Sequence, residues 1–225
     1  MKRVQVVLAV LACACLSPAL NAQMGMNIFK KPNIANIFHP VVGYGGEYQI
    51  TDSDGKSKPF EMTVVASESV DGKEAYWLEF GFTDPSSSSL IYTKALITKD
   101  DFQVHKTVFL MPGSTQPMEM PINRSAQERQ QQQEEMQKWH SVGTETITVP
   151  AGTFSCEHWA KDTGKGDVWV STKVAPMSLV KSVDNKETIV LTKVITDAKD
   201  HIVGTPVKFD PQMMRQMMMQ QMNHQ

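Results

Sequence analysis

Cys156 and His158 stand two residues apart, which on a β-strand places both side chains on one face. A thiolate beside an imidazole is the arrangement of a nucleophile with its base, and the same two groups bind soft metals. The neighbouring Phe154 gives a plainer reading, in which Cys156 is a small core hydrophobe and His158 lies at the sheet edge. The second unusual chemistry is C-terminal. Met214, Met218 and Met222 form an i, i+4, i+8 row with His224 nearby, and Met213, Met217 and Met219 surround it. Thioethers favour Cu(I), and an imidazole can complete such a site. The same row is an amphipathic helix face that can pack on the domain or meet an envelope protein partner through residues 206–225. No cofactor is expected. His39, His105, His140 and His201 share no ligand spacing. The glycines of Gly43-Tyr44-Gly45-Gly46 lack the Gly-Lys-Ser/Thr of a phosphate loop. Neither a nucleophile elbow nor a histidine-glutamate zinc helix occurs. An enzyme is therefore not the expected reading, and no catalytic residue is named.

The elements around these residues point to strands. Phe60-Glu61-Met62-Thr63-Val64 alternates apolar and polar residues strictly. Tyr76, Leu78, Phe80 and Phe82 share a face opposite Trp77 and Glu79, and Asp71-Gly72 before them is a hairpin turn. Phe102, Val104, Val108 and Leu110 suggest another face, interrupted by Lys106. Lys99-Asp100-Asp101, Pro150-Ala151-Gly152 and Asp184-Asn185-Lys186 are further turns, and Glu187 to Val194 is a long β-branched strand. No strand precedes the amphipathic helix that a parallel crossover needs. Ser125 followed by Glu128 has capping-box spacing, and strong helix formers continue to Lys138. The predicted fold is α+β and mainly antiparallel: a curved sheet or half-barrel with a covering helix near 125–138.

The chain begins Met1-Lys2-Arg3, continues with an apolar run to Leu16 and exits through Ser17-Pro18-Ala19-Leu20-Asn21-Ala22. This is the three-part pattern of a secretory signal. The run is shorter than the roughly 20 residues that span a bilayer as a helix. The expected organisation is a signal peptide over 1–22, one β-rich domain over 23–205, and a Met/Gln-rich helix or tail over 206–225. Val10-Leu11-Ala12-Cys13 offers lipidation at Cys13 as the lesser alternative, because Leu11 fits that cleavage box poorly. Export to the bacterial periplasm is the predicted location, with no transmembrane segment after signal removal. Beyond the signal only Cys156 remains, so an internal disulfide is excluded and a core must stabilise the domain. Loss of Lys2 and Arg3 moves the formal net charge from -2 to about -4, which offers phosphates no attraction. Nucleic acid is thus excluded as an expected partner.

One stretch resembles a known group. Val149-Pro150-Ala151-Gly152-Thr153-Phe154-Ser155-Cys156, then Asp167-Val168-Trp169-Val170-Ser171, then Ala175-Pro176-Met177-Ser178-Leu179-Val180-Lys181 are similar to uncharacterised exported bacterial proteins, themselves distantly similar to the periplasmic lipoprotein carrier. The resemblance spans under a fifth of the chain. It implies a curved antiparallel sheet around a concave apolar cavity, and it assigns no ligand-binding residue. From periodicity, Phe60, Met62, Tyr76, Leu78, Phe80, Phe102, Val104, Val108, Phe154, Val168, Val170, Ile189 and Leu191 are the candidates to line that concave face. Two functions follow. Either the face is an open cavity for a lipid or another apolar small molecule, or it is the filled core of a structural or assembly protein of the envelope. Copper binding through the tail is the minor third.

Overall fold

The computed structural model describes residues 37–83, 90–110, 114–122 and 139–210. Within them the chain is nearly all strand: β1 (Gly45–Asp52), β2 (Ser57–Val70), β3 (Lys73–Thr83), β4 (Leu90–Thr98), β5 (Val104–Phe109), β6 (Met118–Met120), β7 (Trp139–Val149), β8 (Gly152–Lys161), β9 (Gly166–Val170), β10 (Leu179–Asp184), β11 (Glu187–Ile195) and β12 (Val207–Lys208). All twelve belong to one open sheet of order β12-β6-β5-β4-β3-β2-β1-β11-β10-β9-β8-β7. Every pairing is antiparallel except β12 on β6. The α+β expectation is therefore corrected to an all-β fold, and among the described residues no helix covers the sheet. The propensity that suggested a helix near 125–138 lies outside the described residues, as does the Met-rich row of 206–225; the start of that segment supplies β12.

Local chemistry explains the strands. Asp71 and Gly72 both take positive φ, 51° and 78°, so the β2–β3 hairpin turns with the hand that matches strand twist. Beyond the turn Phe60, Met62, Val64, Leu78 and Phe80 bury one face of the pair. Each such side chain removed from water contributes about 1.5–3 kcal/mol before conformational entropy is counted. Leu78 on β3 and Val168 on β9 fall in one hydrophobic cluster, although β2, β1, β11 and β10 stand between them in the sheet. The cluster runs from strand to strand through Met62, Tyr48, Leu191, Ile189 and Leu179 of the intervening strands.

Two irregularities interrupt the regular ladder. Between β4 and β5 the register shifts, with Leu96 opposite Lys106 but Ile97 opposite Val104. The extra residue, His105, turns the strand over, so Val104 shares the inner face of Ile97 while Val108 shares the outer face of Leu96 and Lys94. On the other side, β8 residues before Glu157 run past the end of β9. The β7–β8 turn there reaches β11 instead, where the Ala151 N–H donates to the Leu191 carbonyl at 3.4 Å.

Candidate functional site

The concave face is the first place to look. Phe60, Met62, Tyr76, Leu78, Phe80, Phe154, Val168, Val170, Ile189 and Leu191 all lie in the main cluster, with Phe102 and Val104 packed against it. Val108 does not join them, because the bulge at His105 sends it to the convex side, where it is nevertheless fully buried. Met62, Val64, Leu78, Val168 and Leu191 are each 0 % exposed. A chamber wide enough for an acyl chain would leave its lining open to a water-sized sphere. These side chains instead touch one another, Ile37, Phe38, Val174 and Met177. Phe60 lies 5.8 Å from Tyr48 and 5.1 Å from Phe82 between ring centroids, in the range of favourable aromatic pairs. The Tyr48 hydroxyl donates across the interior to the Leu179 carbonyl at 3.2 Å. Burial pushes that phenol well above its ordinary range. Among the described residues, the side chains at the centre of this face are therefore fully buried.

Cys156 is part of this core, and burial, aided by the Glu145 carboxylate, pushes its thiol up to about 11. Its one polar contact is to the Phe154 carbonyl, 3.7 Å away. His158 belongs to a different neighbourhood. Its ring stacks on Trp169 at 4.5 Å, Nδ1 lies 3.1 Å from Glu145 and Nε2 lies 2.8 Å from Asp167. Glu145 also accepts from the Trp169 indole N–H, and Lys181 sits 5.0 Å over the same indole. Both imidazole nitrogens are thus engaged by carboxylates while the thiol is held protonated. A nucleophile–base pair requires the opposite of each.

A second polar cluster crosses the convex face of the other half. Glu79, on β3 among Leu78 and Phe80, is 1 % exposed. Its carboxylate accepts from the His201 backbone N–H at 3.0 Å, from His201 Nδ1 at 2.7 Å and from the Ile202 N–H at 3.3 Å. Lys94, the cross-strand neighbour of Glu79, donates to Asp200 at 2.6 Å and to the Ile202 carbonyl at 2.5 Å. The His201 ring stacks on Tyr92 at 3.9 Å, and Tyr92 lies over Gly81, where a Cβ would meet its ring at 2.9 Å. Residues 200–202 therefore form a strap, with Ile202 buried beneath it. Desolvation holds the Glu79 and Glu61 carboxyls above the ordinary glutamate range. Periodicity places Glu79 on the polar face but gives no sign of its burial. The only local signal is one carboxylate within Tyr76-Trp77-Leu78-Glu79-Phe80.

Among the described residues no three His, Cys, Asp or Glu side chains are grouped to hold a metal. Met214, Met218, Met222 and His224 lie outside them. Nor is any described helix long and apolar enough to cross a membrane. Among the described residues, fold and side-chain chemistry define an all-β domain with fully buried central apolar side chains and polar clusters on its outer face.

No protein-family model matches the chain, and no curated protein does either. Two solved structures align with it over 70 % of its length: a candidate lipoprotein of Parabacteroides distasonis, 16 % identical over 97 % of that protein, and a candidate exported protein with YMCC-like fold from Bacteroides fragilis, 14 % identical over 98 %. Both superpose with a TM-score of 0.37. Neither links the chain to the periplasmic lipoprotein carrier.

Proposed function

We propose that this protein is a non-catalytic component of the bacterial cell envelope that works through its surfaces, with its apolar face serving as a filled core. The observation behind this reading is the complete burial of Met62, Val64, Leu78, Val168 and Leu191 against the protein's own side chains. Apolar contact drives ligand uptake at about 25 cal/mol per Å² buried. Here that surface is already satisfied from within, so a lipid would have to displace close packing to gain it. Export is supported by the basic, apolar and small-residue succession of residues 1–22. A domain without a disulfide must then draw its stability from this core.

The rival is a carrier that binds a lipid or other apolar small molecule on the concave face. Native mass spectrometry of protein purified gently from its own envelope, followed by lipid extraction and titration with a fluorescent fatty acid, separates the two. The expected result is a mass made up of the chain alone, as one copy or two, with no ligand mass added, no extracted lipid and no probe binding. A retained apolar molecule that competes with the probe would overturn the filled-core reading and restore the carrier.

A further inference from the structure

The sheet is open, and its two ends differ. One end is closed off by short strands, the three residues of β6 and the two of β12, and the outermost carries Lys208. At the other end stands β7, eleven residues long, hydrogen-bonded to β8 on one side and to no further strand among the described residues on the other. From His140 to Thr146 every residue is exposed, Val142 by 55 %. Such a row of free N–H and C=O groups templates strand addition unless it is blunted by lysine, proline, a bulge or a cover. Trp139–Val149 contains no Lys, Arg or Pro. Its bulge, between Ser141 and Gly143, leaves Thr144 to Val149 regular. Its one carboxylate, Glu145, is turned onto His158 and Trp169, where its charge is already engaged.

We propose that this edge is a homotypic interface, at which β7 of a second copy of the chain adds antiparallel to β7 and extends the sheet across a two-fold axis. Self-complementarity favours this occupant: a two-fold through Ile147 sets Glu145 opposite Val149, with its own copy four residues further along the strand, so the two carboxylates neither face each other nor lie diagonally. The remaining residues, Thr144, Thr146, Ile147, Thr148 and Val149, are β-branched and suit a pleated ladder on both copies. An isologous pair of this kind closes on itself, so the assembly stops at a dimer: the far end of each sheet is the short β12 edge, which β7 does not match. This interface is independent of whether the interior is filled or holds a ligand.

The test needs no ligand: sedimentation velocity of the processed protein over a wide concentration series, beside Thr146→Lys/Thr148→Lys and Thr146→Val/Thr148→Val. Both threonine side chains are exposed, so the lysines place like charges across the axis without entering the core. The expected result is a reversible dimer, weakened about tenfold or more by the lysine pair and retained by the valine pair. Hydrogen exchange is the second reading, needed if the lysine pair fails to fold: amides of 144–149 in the unaltered protein should become more protected as concentration rises. A monomer at every concentration, a dimer indifferent to the lysine pair, or exchange in β7 that does not change with concentration would each overturn the proposal.

Discussion

The two halves of the convex surface handle charge in opposite ways. Over β3 and β4 a carboxylate, Glu79, is sealed beneath the 200–202 strap, accepting from two backbone N–H groups and an imidazole supplied by residues 122 and 123 positions away in sequence. Over β7 to β10 the corresponding polar row stays near water. His158 is 16 % exposed, and its partners Glu145 and Asp167 are 47 % and 40 % exposed. A buried charge that loses its partners is expensive, whereas an exposed pair exchanges protein contacts for water at little net change. The first cluster is thus expected to hold the 200–202 strap against the sheet, and the second to trim strand pairing locally.

The sharpest way to break this contrast is Glu79→Ala. It strips the acceptor from His201 and Ile202 and loosens the strap that buries Ile202, so urea denaturation should show a loss of about 3 kcal/mol. A cost below 1 kcal/mol would mean that the strap does not depend on the carboxylate. A pH series sharpens it next. Because burial raises the Glu79 and Glu61 carboxyls above their ordinary 4.5, the folded chain takes up protons more readily than the unfolded one. Their contribution to stability is complete below that value and is lost as pH rises through the folded values. Asp101 acts in the reverse sense. Hydrogen bonds from Lys73 and Thr98 push it down to about 2, so its contribution is present above the ordinary 3.8 and is lost as pH falls through about 2. Thermal melts across this range should slope downward with rising pH on the upper side, and Glu79→Gln should flatten that slope. The smallest effect belongs to His158→Ala, at about 1 kcal/mol, measured in urea and shrinking with added salt. An equal loss at low and high salt would point to the ring's stack on Trp169 rather than its ion pairs.

What the sequence revealed and concealed follows the range of each interaction. Alternation over Phe60–Val64 and Tyr76–Phe82, with Asp71-Gly72 between them, predicts β2, the turn and β3, because those signals are local. The same logic places Val108 on the concave face, whereas the structure sets it on the other side of the strand. Strict alternation from Val104 assumes an unbroken ladder, and the bulge sits at a histidine, which carries no compositional mark of one. The burial of Glu79 was equally hidden, since it depends on a segment more than a hundred residues downstream. The covering helix rests on the Ser125 and Glu128 capping-box spacing and on helix propensity, local signals that do not say what lies over a sheet, and among the described residues no helix covers it. For Cys156 and His158, shared strand parity was visible, but not that β8 overruns β9 and carries the cysteine into the core while the histidine stays with Trp169.

The centre of the sheet has a consequence for how the chain acquires its structure. β1 lies at the middle, and one of its two partners is β11, so Gly45 pairs with Ile195 and Asp52 with Glu187. Hairpins such as β2–β3 can form as soon as their residues are free, but the ladder joining the two halves must wait for nearly the whole described chain. Closing so long a loop is entropically slow and places this domain among high-contact-order folders. A polypeptide that must pass a narrow pore before folding gains from this delay. Its halves stay uncoupled, and open to threading, until residues near 195 have emerged.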